Sequence, residues 1–272
     1  MAKMAFWTAV LLLHGVSTGI AMNCAKTRLD GFLPLDDAPD SVDDMYNGCK
    51  DNMKKNVQTY LQNEKNTDST FKRAWDEGEK YNKKPGKKGK RSPKALGKEQ
   101  AVAIYVYTLD NPNIYLDFNE AVRTQKHEYK TTFRYHALHF FLTDALQTLN
   151  ARKPEEERCI TVYRRSNRSF SQDVLNKVIR FGSFTSSSRG WYPRAERFGD
   201  KSCFEIDTCL GADVSLFSKL GESEREMLIP PYEAFKVTKI ERKSAQKILP
   251  CEVVYKLETT NTPLSNLNCA LF

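Results

Sequence analysis

The sequence predicts an α+β fold, a helical N-terminal half over residues 39–151 packed with a mixed β-sheet C-terminal half over residues 157–260. Three observations predict it. Apolar residues recur at three- and four-residue intervals up to about residue 150, the spacing of a helix face. After Lys153-Pro154 the pattern changes to short runs of β-branched and aromatic residues separated by turn residues. No internal repeat is present and no Gly-x-Gly-x-x-Gly follows a strand, which disfavours a doubly wound dinucleotide fold. At 272 residues and 40% hydrophobic composition the chain buries a sizeable core, so disorder and fibrous repeats are excluded.

Taken in order, Met1 to Ala21 reads as a secretory signal. Lys3 is its positive start, Ala5 to Leu13 its apolar run, and Gly19-Ile20-Ala21 its cleavage site. His14, Ser17 and Thr18 interrupt a stretch already shorter than the roughly 18 apolar residues of a spanning helix. Residues 22–272 then form one mature domain, and polar residues throughout Thr259–Phe272 argue against a lipid-anchor tail. A soluble protein, secreted or in the lumen of the secretory pathway, is expected.

Helices are expected over Ser41–Gln62, opened by Ser41-x-x-Asp44 as a capping-box variant, and over Asp68–Tyr81. Short helices follow at Glu99–Leu109 and Asn111–Arg123. Over Thr131–Leu149, Phe133, Ala137, Phe140, Phe141, Ala145 and Leu149 define one apolar face, flanked by His136 and His139, for which a structural or surface role is expected rather than metal ligation. The run Lys83–Lys98 concentrates basic residues among Pro and Gly. It lacks the interleaved aromatics and recognition-helix period of a nucleic-acid surface, so a solvated loop open to acidic partners is expected. Losing the leader removes only Lys3 and moves the formal charge from +8 to +7.

Strands are expected at Cys159–Arg164, Val178–Ser186, Ser202–Asp207, Arg225–Ile229, Ala234–Ile240 and Cys251–Leu257. The seven cysteines lack metal-knuckle spacing and lie far in sequence from the four histidines, so no metal site is expected. In an oxidising compartment six of them form three bridges, and Cys24, beside the cleavage site, is the odd thiol.

Three features of the sheet half carry chemistry: Arg164 ending a strand, Ser186 within Phe184-Thr185-Ser186-Ser187-Ser188, and Glu224-Arg225-Glu226 entering a strand. Alternate strand residues project to one face, which sets the two carboxylates side by side. Paired carboxylates handle a glycosyl cation and a proton in one site.

These residues resemble the Arg, Ser, Glu-x-Glu signature of vertebrate arginine-specific mono-ADP-ribosyltransferases, the ecto-enzyme, toxin-related class. Val162-Tyr163-Arg164, the Ser motif and Glu224 to Pro231 carry the likeness. Asp43 to Cys49, Tyr115 to Arg123, Tyr135 to Leu149, Thr208 to Ala212 and Ser265 to Cys269 extend it over the mature chain.

The resemblance implies a single ADP-ribosyltransferase catalytic domain over 22–272. It implies NAD, or NADP, as co-substrate with no prosthetic group, release of nicotinamide, and protein arginines as acceptors, without nucleic acid and as a monomer. Arg164 would hold the phosphate and ribose region through a planar fork suited to phosphate. Ser186 would orient the nicotinamide ribose, Glu226 would bind a ribose hydroxyl and stabilise the developing cation, and Glu224 would align the acceptor guanidinium and take its proton. Tyr107, Ser183 and Ser218 are the further expected cofactor contacts. In the loop Leu216–Leu220, Phe217 is expected either to face the target guanidinium or to pack as a loop aromatic.

Two departures stand out: Arg165 where the family often has Gly, and Ser183 where it often has Gln. The resemblance also pairs Cys49 with Cys269 and Cys159 with Cys209, leaving Cys203 for Cys251. The sequon Asn167-Arg168-Ser169 lies close after Arg164, so a glycan there must point away from the cleft. Competing readings are an NAD glycohydrolase of the same fold, against which Glu224 argues, and a catalytically silent secreted binding protein, against which the intact trio argues. A basic nuclease lacks a paired catalytic His in the sheet half.

Overall fold

A computed structural model describes residues 31–83, 96–219, 221 and 225–272. The expected leader, Cys24, Glu224 and residues 84–95 of the basic run lie outside the described residues. Five helices come first: α1 (Lys50–Thr67), α2 (Ser69–Lys83), α3 (Lys98–Tyr107), α4 (Tyr115–Thr124) and α5 (His136–Asn150). The strands are β1 (Ile160–Ser166), β2 (Val178–Ile179), β3 (Thr185–Arg189), β4 (Ser202–Thr208), β5 (Ala212–Asp213), β6 (Glu226–Ile229), β7 (Phe235–Arg242) and β8 (Val253–Thr259), with the short helix α6 (Ala195–Phe198) before β4. Among the described residues they form one sheet in the order β2-β7-β8-β4-β1-β3-β6-β5, mixed because β4 and β8 run parallel.

Local chemistry explains most boundaries. Asp68 caps α2, its carboxylate accepting the N–H groups of Thr70 and Phe71 at 2.8 and 2.9 Å. The 3.6-residue period of Ala137, Phe140, Phe141 and Ala145 buries α5 against α1 and α3.

The first expected helix begins later than its capping signal indicated. Residues 41–49 are instead a strap, buried over 41–44 and at Tyr46 and Cys49, because tertiary partners take the capping groups. The Ser41 hydroxyl donates to the Gly182 carbonyl, and the Asp43 carboxylate accepts the Arg180 guanidinium together with the N–H groups of Asn266 and Leu267. Asp44 accepts the N–H groups of Tyr46 and Cys269 and the Tyr129 hydroxyl.

The expected strand Val178–Ser186 is two strands at separate places in the sheet, β2 at one edge and β3 beside β1. Gly182, with φ of +71°, turns the chain between them, and a Cβ there would lie 2.7 Å from that of Ala38.

Two large apolar clusters result. One joins the helices to Phe184, Ala212, Val214, Phe217 and Leu228. The other lies against the opposite side of β6 and includes Met227, Ile229, Val162, Phe204 and Tyr255. Because β6 is buried on both faces, alternate residues serve both clusters, and the residue that opens this strand sits where the two layers meet. Three disulfides brace the structure, Cys49–Cys269, Cys159–Cys209 and Cys203–Cys251.

Candidate active site

Glu226 opens β6 at the head of a cleft of about 560 Å³. The residue before it, Arg225, has a φ of +46°, a costly conformation for a side-chain-bearing residue that turns the chain into the strand. β6 pairs with β3, and β3 with β1, so Glu226, Ser186 and Arg164 come from three adjacent strands. The Ser186 hydroxyl donates to Glu226 Oε1 at 2.8 Å, and the Ser218 hydroxyl donates to Oε2 at 2.9 Å. Each carboxylate oxygen is thereby held by one hydroxyl. The Arg164 guanidinium donates to the Ser186 carbonyl at 2.6 Å, which fixes the cation at the same strand.

Tyr107, at the end of α3, forms the facing wall. Its hydroxyl donates to the Phe184 carbonyl at 2.9 Å and accepts from Asn119 at 3.1 Å. Burial holds this phenol well above its ordinary pKa, so it stays neutral. Tyr115 meets the Tyr107 ring edge-on, and both line the cleft.

The structure thus brings together Arg164, Ser186, Glu226, Tyr107 and Ser218, with Ser218 behind the carboxylate and fully buried. It does not bring Ser183 to the cleft: that side chain is buried, and its oxygen accepts from Arg123 at 2.8 Å. The backbone turn at Gly182 directs it to α4. Phe217 is buried in the helical core cluster, so the packed alternative holds and it offers no face to a target. Asn167 is exposed beyond the end of β1. Arg165 also lines the cleft, but its guanidinium is taken up by the Pro250 carbonyl and lies over Tyr192.

Sequence reasoning missed Arg194, Arg197 and Phe198, which line the cleft from α6 and the residue before it. The run Arg189 to Phe198, dense in cations and aromatics directly after the Ser motif, carried that signal. A cleft with aromatic walls, a row of guanidiniums and an anchored carboxylate fits a dinucleotide: ring surfaces for bases, cations for a pyrophosphate, and a negative group for a sugar that becomes positive.

Comparison with known proteins agrees with this chemistry. The family described as NAD:arginine ADP-ribosyltransferase matches residues 35–253. Ecto-ADP-ribosyltransferase 5 of Homo sapiens is 34% identical over 249 residues, covering 88% of this chain and 81% of that protein. The erythroblast NAD(P)(+)--arginine ADP-ribosyltransferase of Gallus gallus is 34% identical over 235 residues, covering 84% and 75%. The crystal structure of the eucaryotic mono-ADP-ribosyltransferase ART2.2 superposes with a TM-score of 0.69 at 34% identity, covering 87% of this chain and 98% of that one. A mutant of that enzyme solved in complex with NAD gives a TM-score of 0.64 at 30% identity with the same coverage.

Proposed function

Because the chain belongs to the NAD:arginine ADP-ribosyltransferase family, we propose that its cleft binds NAD and transfers ADP-ribose to arginine side chains of proteins. The observation that carries this reading is the Glu226 carboxylate, each oxygen held by a serine hydroxyl, at the head of a cleft lined by Arg164, Arg194 and Arg197. The bond between ribose C1 and the nicotinamide nitrogen breaks, its electron pair returns to the ring, and nicotinamide leaves neutral. Positive charge then develops on the sugar, where Glu226 stabilises it in a preorganised position. Arg164 holds the pyrophosphate region, and the Tyr107 and Tyr115 rings bound the site. A bond forms between C1 and a guanidinium nitrogen of the acceptor, whose proton passes to Glu224.

The reading extends to the whole chain. Residues 22–272 act as a single catalytic domain and a monomer, in the secretory lumen or outside the cell, with protein substrates presented through exposed arginines. The leader-like residues 1–21, the three bridges and the ecto-enzyme names of relatives support this. Among the described residues no helix is long and apolar enough to cross a membrane. NADP serves beside NAD, in keeping with the name of the Gallus gallus relative.

The test is incubation of the mature protein with labelled NAD and a small guanidine, beside Glu226→Gln. Labelled guanidine and nicotinamide should appear with the parent and fall by at least about 10²-fold in the variant, the scale of removing one transition-state charge partner. Nicotinamide without labelled guanidine would make the protein a glycohydrolase, and no product from either would leave a silent binding protein.

A further inference from the structure

We propose that Arg165 is a positioning residue that ties α6, the cationic wall of the cleft, to the Cys203–Cys251 bridge, and so sets the affinity for the dinucleotide. The inference rests on the reading of the cleft given above. Arg165 and Tyr163 both line the cleft, and strand alternation sets Arg165 on the side of Tyr163, opposite Cys203 on β4, with Arg164 on the side of Val162. What marks Arg165 as a brace is where its guanidinium bonds. From there its Nη1 donates to the Pro250 carbonyl at 2.8 Å and reaches the Gly199 carbonyl at 3.5 Å, while its guanidinium carbon lies 5.7 Å from the centre of the Tyr192 ring. Its Nε is buried without a hydrogen-bond partner. Burying an unpaired donor costs free energy, so the other contacts impose this placement.

The two carbonyls belong to two different supports. Pro250 precedes Cys251, whose bridge to Cys203 is fully buried. Gly199 ends α6, its N–H returning to the Ala195 carbonyl at 2.7 Å. α6 is four residues long and buries none of them, so its own packing does not hold it. It depends on ties such as Arg165 and on the turn after β1, where a Cβ on Gly199 would lie 2.5 Å from that of Asn167. Through Arg194, Arg197 and Phe198 the same segment supplies one wall of the cleft.

Calorimetric titration of the intact protein with NAD, with kcat and KM for nicotinamide release and the melting temperature, tests the brace. Arg165→Ala should weaken NAD binding and raise KM about tenfold, on the scale of one charge-assisted hydrogen bond, with kcat within about twofold of the parent. Arg165→Lys should recover part of that loss. Tyr192→Leu and the paired change Cys203→Ser, Cys251→Ser should weaken binding in the same direction. Combining either with Arg165→Ala should add little, as expected of groups acting through one support. Losses that add in full would make Arg165 a direct phosphate contact and overturn the proposal. So would an unchanged NAD affinity in Arg165→Ala, or a loss seen only in kcat and melting temperature. A parent that bound no NAD would refute the reading of the cleft itself, an outcome distinct from failure of the brace alone.

Discussion

Glu226 does its work through the two hydroxyls that hold it. Ser218→Ala removes the buried hydroxyl that donates to Oε2, and we expect kcat to fall about tenfold with KM little changed, measured by nicotinamide release. Ser183→Ala removes only a partner of Arg123 on the far side of the Gly182 turn, so kcat and KM should stay within about twofold of the parent. Arg164, Ser186 and Glu226 were singled out in the sequence by the motif they share with the family, and the structure sets them on three adjacent strands, an adjacency that spacing along the chain does not report. Ser183 was misplaced for a definite reason. A left-handed glycine reverses which way the next side chain points, and sequence spacing does not report that.

At the scale of elements, strong periodicity identified α5 and most strands, while competition for polar groups moved other boundaries. Ser41 and Asp44 look like a helix cap, yet Gly182, Cys269 and Tyr129 use their side chains first. The junction of α1 and α5 yields a pH prediction. Glu64 on α1 accepts the Ala137 N–H at 2.7 Å at the start of α5, and burial raises its pKa from 4.5 to about 8 against the backbone hydrogen bonds that lower it. The folded state therefore holds this proton more tightly than the unfolded chain does. Its stabilising contribution is fully present below about pH 4.5 and is lost as pH rises through about 8, with a limiting slope of about 1.4 kcal/mol per pH unit. Buried His139 works in the opposite sense. Burial lowers its pKa from 6.5 to about 3, so its contribution is present above pH 6.5 and lost as pH falls through about 3. Denaturant midpoints followed across pH should show a shallower alkaline loss in Glu64→Gln than in the parent. Parallel curves would refute this account of the junction.

The whole molecule is closed by a hub that no local pattern displayed. The Arg180 guanidinium, fully buried, donates to the Asp43 carboxylate and to the carbonyls of Asp37, Ala38 and Leu264, joining the N-terminal strap, the sheet edge and the C-terminal segment. Asp43→Ala leaves that cation buried and unpaired and should cost about 3–5 kcal/mol in chemical denaturation. The Cys49–Cys269 bridge closes the same ends, and its paired replacement by Ser should cost up to about 5 kcal/mol in the chain-entropy view. These braces close the chain's two ends on each other, while strand pairing itself sets Arg164, Ser186 and Glu226 side by side, and the central claim is what that arrangement does with NAD. The most direct test divides the label from NAD between a guanidine acceptor and water, in the parent and in Glu224→Ala. The account predicts mainly labelled guanidine from the parent, with the variant losing transfer while retaining part of its nicotinamide release. Equal partition in the two proteins would contradict it.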